Sequence, residues 1–343
     1  MTLNTGVMVD KEEANRVLRI LFRKGVVRKD LKIIYNGTEV IIPVIIPVKS
    51  TESLVHADTV QADFEERKNQ ISPRDLISLE LEKLHVSTII PDNWIRFGDA
   101  LVIKESIWEN PEEILLETVA KKMGLKTIYL DRGIKNGHRR TPSVIRIYGP
   151  GGEVTHRENG IIYSFDPEKV MFSPGNVNAR ISEGRRDYSG MIILDMFAGI
   201  GYFSLHIAKF SRNNTVFSCE INPDSYHFLK RNIDLNSLQG SMIPLLGDCR
   251  NVAPAIKADY ILMGHYQCLD YLVTAFLRSK IGTIINFHVL VPTDRLGQYH
   301  FEIQSRARSL GCILDFMDQY IVKSFGPHIW HISVRMIVSN LLM

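Results

Sequence analysis

A chain of 343 residues with 45% hydrophobic and 23% charged side chains has the make-up of a folded protein of two or three domains, not of a disordered or fibrous one. Its long apolar run, 40-VIIPVIIPV-48, is short and broken by two prolines, which excludes a membrane span and suits edge strands. The net charge of +3 is small for this size, so any surface for a polyanion must be local.

The first twenty residues place acids and bases where an export signal needs a continuous apolar stretch, so a cytoplasmic location is expected. Cysteines 219, 249, 268 and 312 are too far apart for a C-x-x-C knuckle; they are expected to be unpaired small residues, buried or half-buried, with no metal site. Residues 10–24 space Ala14, Val17, Leu18, Leu21 and Phe22 on one helical face, and Gly25 stops the helix. Strands 31-LKIIY-35 and 40-VIIPVII-46 follow around Asn36-Gly37. These form a small αβ module over residues 1–65, and the polar stretch ending in Ser72-Pro73 reads as a linker or helix start.

An α+β domain is expected over 66–172. Its strands are 100-ALVIK-104, 126-KTIYL-130, 143-SVIRIY-148 and 161-IIYSF-165, and its helix is 111-PEEILLETVAKKMG-124, with Pro in its first turn and Gly at its end. Residues 121–150 carry eight Lys or Arg against the single acid Asp131, the footprint of a phosphate backbone or of a solvated face. Arg132, Lys135, Arg139 and Arg140 are the candidate phosphate contacts, of the kind that position a nucleic acid without reading its sequence.

From 173 to 343 the pattern becomes strand, glycine turn, helix, repeated at 191-MIIL-194, 215-TVFSC-219, 259-DYILM-263 and 282-GTIINF-287. That alternation predicts an α/β domain with a doubly wound sheet, Rossmann-like in kind. In such a sheet the ligand lies beyond the carboxyl ends of the strands. Asp195, Gly199 and Gly201 form D-x-x-x-G-x-G there, and Ser204 stands where a dinucleotide fingerprint has its third glycine, which disfavours NAD. Glu220, 25 residues after Asp195, is placed to accept both hydroxyls of a ribose. In 247-GDCR-250, Asp248 can accept from an adenine amine beside the backbone of Cys249. Acids at successive strand ends with no phosphate cradle fit a nucleoside, and S-adenosylmethionine before others.

The segments 195-DMFAGIGYFSLHIAK-209, 219-CEINPDSYHFLKRNIDLN-236 and 247-GDCR-250 resemble a family of tRNA-modifying enzymes acting on the guanosine 3′ of the anticodon. The likeness extends to 156-HRENGIIYSFDPEKVMFSPGN-176 and 325-FGPHIWHISV-334, covering about residues 70–343. The family has a guanine-N1 methyltransferase branch and a wybutosine-synthesising aminocarboxypropyl transferase branch. The resemblance implies a class I S-adenosylmethionine fold, with Ser173, Arg180, Glu220, Asp248 and Cys249 at the cofactor. It also implies an acid just before the basic residue, where this chain has Ala179. The methyltransferase branch carries an Asn-Pro motif after its fourth strand; 261-ILMGHYQ-267 has neither residue and resembles the aminocarboxypropyl branch. The expected reaction is transfer of the arm of S-adenosylmethionine to the ring carbon C7 of 4-demethylwyosine in tRNA(Phe).

His265 and Tyr266 are the expected catalytic residues, contacting the base or taking its proton. Tyr202 is a candidate stacking face, His288 a further lining residue, and Arg185 and Arg186 either bracket the pocket or cap a helix. The alternatives are the N1-methyltransferase, which the short N-terminal module favours, and a tRNA-binding protein without chemistry, which the intact glycine turn, Glu220 and Asp248 disfavour.

Overall fold

The computed structural model describes residues 4–45, 58–66, 72–88, 90, 94–105, 111–134 and 142–342. It divides into two compact units, Met1–Leu76 and Ile77–Met343. In the first, β1 (Asn4–Asp10), α1 (Ala14–Arg23), β2 (Ile34–Asn36), β3 (Glu39–Pro43) and β4 (Asp58–Ala62) form a sheet in the order β2-β3-β1-β4 with one helix. Alternate residues Val7 and Val9 of β1, and Val40 and Ile42 of β3, point to the face that Val17 and Leu21 of α1 cover, as strand and helix periods require. The hairpin turn is Gly37-Thr38, one residue later than expected, with Gly37 at φ +61. β3 stops at Pro43, short of the predicted Ile46.

The division falls within α2 (Pro73–Lys83), whose Ile77 and Leu81, in the second unit, are buried against a four-stranded sheet. Its strands are β5 (Trp94–Phe97), β6 (Ala100–Lys104), β7 (Thr127–Ile134) and β8 (Pro142–Tyr148), in that order, and α3 (Glu113–Met123) joins the parallel pair β6 and β7. α3 ends on Gly124 in the left-handed conformation, while Pro111 lies just before the N-cap Glu112 and not within the first turn. The sheet is covered on both faces, which explains why 100-ALVI-103 is apolar throughout. Leu101 and Ile103 face α3, and Ala100 and Val102 enter the same core as Phe165, Phe172 and Ile193. That core is therefore continuous across residue 172.

The hairpin β9 (Val154–Glu158) and β10 (Ile161–Phe165) leads into α4 (Val177–Gly184). β10 would otherwise offer an open edge. Asn232 of the later helix Pro223–Leu235 and Asn236, the C-cap residue of that helix, close it: Asn232 Oδ1 accepts from Ser164 N–H at 2.6 Å, and Asn236 exchanges bonds of 2.9 and 2.7 Å with Ile162.

The large sheet follows. Its elements in chain order are β11 (Ile192–Asp195), α5 (Ser204–Phe210), β12 (Thr215–Glu220), α6 (Pro223–Leu235), β13 (Met242–Leu246), α7 (Cys249–Val252), β14 (Ala258–Met263), α8 (Leu272–Leu277), β15 (Ser279–Pro292), α9 (Tyr299–Ser309), β16 (Cys312–Gly326) and β17 (Ile329–Leu341). The strand order is β13-β12-β11-β14-β15-β17-β16. β11 to β15 are parallel, and β17 runs antiparallel to both β15 and β16. The sheet is thus Rossmann-like with a long antiparallel hairpin at one side, which the repeating strand–helix pattern alone did not indicate. Helices cover both faces: Ile193, Tyr260 and Leu262 point into one core, and Leu194, Ile261 and Met263 into the other. All four cysteines are buried free thiols. No helix among the described residues is long and apolar enough to cross a membrane.

Candidate active site

Because β11 to β15 run the same way, their carboxyl ends share one edge; Asp195, Glu220, Asp248, His265 and Tyr266 stand at or just after those ends, while Ser173 and Arg180 come from the segment before β11. The turn after β11 needs glycine twice. Gly199 sits at φ +59, where an added Cβ would come 2.3 Å from the Tyr202 ring. Gly201 sits at φ +96, where it would come 2.6 Å from Leu205. Glu220 binds this turn directly: its Oε2 accepts the Gly199 N–H and its Oε1 the Asn222 N–H, both at 2.7 Å. Burial pushes the Glu220 carboxyl upward despite these backbone donors. Each oxygen keeps a further lone pair for a diol.

Asp195 has a different part. It is fully buried, accepts from Phe197 N–H at 3.1 Å, and burial raises it to about 7. It borders neither cavity described below, and neither does Gly201. Both shape the turn from behind.

A cavity of about 540 Å³ lies over the strand ends, within the range that holds a small organic ligand. Ser173, Arg180, Gly199, Glu220, His265 and Tyr266 all line it. A smaller recess beside it is bordered by Glu220, Asp248, Cys249, His265, Phe197 and Tyr271. Asp248 caps α7, accepting Arg250 N–H at 2.9 Å, and pairs with the Arg250 guanidinium at 2.5 Å. Arg250 in turn lies over the Tyr271 ring, 4.8 Å from its centre. Burial pushes the Cys249 thiol up to about 12, so it stays protonated.

Arg180 is 1% exposed and spends its donors inside the protein. Nε and Nη2 reach the two oxygens of Glu158 at 2.6 Å, Nη1 reaches the Ser173 carbonyl at 2.9 Å, and the guanidinium lies over Phe172. Burial alone would push Glu158 up, but His156 and Arg180 hold it down at about 2. The Ser173 hydroxyl accepts from Lys323 Nζ at 2.8 Å. Sequence reasoning assigned no role to Glu158, Lys323 or His331; Glu158 and His331 lay inside motif segments, and Lys323, on the edge strand β16, had no local signal.

Tyr202 lines the cavity edge-on to Phe172, and its hydroxyl donates to the Met171 carbonyl. His265 Nδ1 accepts from Gln267 N–H at 3.2 Å, and the ring lies beside Phe197. Tyr266 packs edge-on against Phe325 and His331. Arg185 is the C-cap residue of α4, and Arg186 lies 3.8 Å from Glu183. Among the basic residues, Arg132 pairs with Glu105 at 2.5 Å, Lys122 with Glu80 at 2.8 Å and Lys126 with Asp99 at 2.7 Å, which reduces the local charge excess. Lys135, Arg139 and Arg140 lie outside the described residues.

Residues 154–308 match the TRM5/TYW2 methyltransferase domain, and residues 6–52 match the tRNA methyltransferase 5 N-terminal domain. A tRNA(Phe) (4-demethylwyosine(37)-C(7)) aminocarboxypropyltransferase of Pyrococcus horikoshii is 32% identical over 271 residues, 78% of this chain and 96% of the relative. The tRNA (guanine(37)-N(1))-methyltransferase Trm5b of Pyrococcus abyssi is 30% identical over 352 residues, 99% of this chain and 100% of the relative. The crystal structure of P. horikoshii TYW2 in complex with MeSAdo superposes with a TM-score of 0.65 at 29% identity, covering 78% of this chain and 98% of that one. With a glycine turn held by Glu220, a cavity over the strand ends and this degree of likeness, the chain belongs to the TRM5/TYW2 family of tRNA-modifying transferases.

Proposed function

We propose that this protein is an enzyme that transfers the 3-amino-3-carboxypropyl group of S-adenosylmethionine to C7 of 4-demethylwyosine, next to the anticodon of tRNA(Phe), in the cytoplasm. One observation carries the choice of group. The loop after β14 runs Gly264-His265-Tyr266-Gln267, with neither Asn nor Pro to hold a target ring nitrogen, and its first three residues border the cavity.

S-adenosylmethionine is a co-substrate here, and the residues fit it. Glu220, anchored by two backbone N–H groups, takes the ribose hydroxyls. The recess of Asp248 and Cys249 takes the adenine, and Ser173, set by Arg180 and Lys323, closes the other side. The sulfonium activates any of three carbons, and in-line placement at about 3–3.5 Å selects which one reacts. His265 and Tyr266, at the loop, touch the acceptor base. Arg132, Lys135, Arg139 and Arg140 hold the RNA by its phosphates.

The Trm5b-like N-terminal match and its full-length coverage favour a second reading, N1-methylation of guanosine. Purified protein incubated with S-adenosylmethionine labelled in the carboxyl or the methyl carbon separates the two. Carboxyl label entering only tRNA that bears 4-demethylwyosine, with methylthioadenosine released, is the expected result. Methyl label entering unmodified tRNA would establish the methyltransferase instead.

A further inference from the structure

Two histidines meet inside the cavity wall. His288 of β15 and His331 of the antiparallel neighbour β17 come within 2.9 Å, Nδ1 to Nε2. Both rings are buried, and both border the large cavity. Such a contact needs one N–H and one lone pair, so at most one extra proton is shared between the rings.

The outer nitrogen of His288, Nε2, is buried with no hydrogen-bond partner among the described residues. An unmatched buried polar atom is costly, and a histidine kept for packing alone would be replaced at no loss by an apolar residue. The ring borders the cavity, from which a partner must reach an Nε2 that is itself shielded. Burial lowers the His288 ring to about 4, so it is neutral before reaction. Phe203 packs edge-on to the ring, with centroids 4.9 Å apart. His265 differs in both respects: its Nδ1 is engaged by the Gln267 backbone, and it borders the Asp248 recess as well as the cavity.

We propose that His288 is the base that removes the C7 proton of the acceptor ring, with His331 as the positioning residue that fixes its tautomer. The assignment rests on the aminocarboxypropyl reading above. As C7 forms its bond to the arm carbon, the C–S bond breaks and its electron pair leaves with sulfur, giving methylthioadenosine. The ring is left cationic with hydrogen still on C7. That C–H bond then breaks, its electrons restore the aromatic ring, and the proton goes to Nε2 of His288, which becomes an imidazolium. The assignment requires the tautomer in which His288 Nδ1–H donates to His331 Nε2, leaving Nε2 of His288 as the acceptor. The cationic ring is a far stronger acid than an imidazolium, so a weakly basic, desolvated imidazole suffices.

The test uses the full chain in single turnover, with tRNA whose 4-demethylwyosine is tritiated at C7 and with carboxyl-labelled S-adenosylmethionine. Tritium released to water reports the proton step, and carboxyl label in the RNA reports group transfer. His288→Asn keeps a polar atom near the Nδ1 position and removes Nε2; it is expected to slow tritium release by about 100-fold or more while S-adenosylmethionine affinity stays at the wild-type value. His331→Gln, which keeps a polar atom near Nε2, should retain most of the rate that His331→Leu loses. Release at the wild-type rate in His288→Asn overturns the assignment, as does a loss that accompanies lost S-adenosylmethionine binding, which marks a structural role. If the wild-type chain transfers no carboxyl label, the aminocarboxypropyl reading fails and the assignment with it; wild-type transfer with an unaffected His288→Asn sinks the assignment alone.

Discussion

Arg180 grips Glu158 through two parallel bonds of 2.6 Å, with both side chains withdrawn from solvent. The pair joins the β9–β10 hairpin to α4, and through the Ser173 carbonyl it fixes the loop at the cavity. Ala179, where the resemblance implies an acid, is 2% exposed in the core, and the counter-charge of Arg180 comes from 22 positions upstream.

Removing one partner of a buried pair leaves the other charge stranded. Arg180→Ala should therefore cost about 3–5 kcal/mol in a denaturant titration. Arg180→Lys, which cannot form the bidentate contact, should fall between it and wild type. Glu158 is held below its unfolded pKa, so its contribution is present above about pH 4.5 and is lost as pH falls toward 2. An Arg180→Ala chain as stable as wild type at pH 7 would show the pair to be idle.

Glu220 offers a direct probe of the ligand. In Glu220→Gln the amide nitrogen must face either the Gly199 or the Asn222 N–H, donor against donor, and the charge that would meet the ribose is gone. S-adenosylmethionine affinity by calorimetry should fall about 10–100-fold, the worth of a charge-assisted hydrogen bond. Unchanged affinity would move the ribose elsewhere.

Asp195 gives a pH signature of the opposite sign to Glu158. Burial raises its pKa to about 7, so the folded state favours the protonated acid: that stability is fully present below about pH 3.8 and is lost as pH rises through 7. Asp195→Asn cannot ionise. Relative to it, wild type should lose up to about 4 kcal/mol between pH 4 and pH 8, measured as paired unfolding curves without ligand. Parallel curves across that range would place the ionisation in the ordinary carboxylate range.

The basic stretch of residues 132–140 is tested by salt. Replacing Lys135, Arg139 and Arg140 together with Ala should weaken tRNA binding and reduce the slope of log affinity against log salt by about 2, with S-adenosylmethionine affinity unchanged. Filter binding at several salt concentrations reads both quantities, and an unaltered slope would remove this surface from the interface.

Much of the site was legible because it follows local rules. A parallel strand that ends in Asp195 and must turn within a few residues into a helix needs glycine where φ is positive, so Gly199 and Gly201 mark the turn in the sequence itself. Glu220 and Asp248 are legible for the same reason, since strand ends in a doubly wound sheet share one edge. The apolar strands from Ile192 to Phe287 announce themselves by period and by flanking glycines. What sequence could not settle was long-range partnership. Nothing along the chain pairs Arg180 with Glu158 and the Ser173 carbonyl; the fold brings them together at the cavity wall. Lys323 reaches Ser173 across 150 positions, and His331 reaches His288 across 43, because β17 returns antiparallel beside β15. A residue's backbone preference and burial period are written in its neighbours along the chain; the partner of a buried charge is decided only by which strands pair, and that is a property of the whole fold.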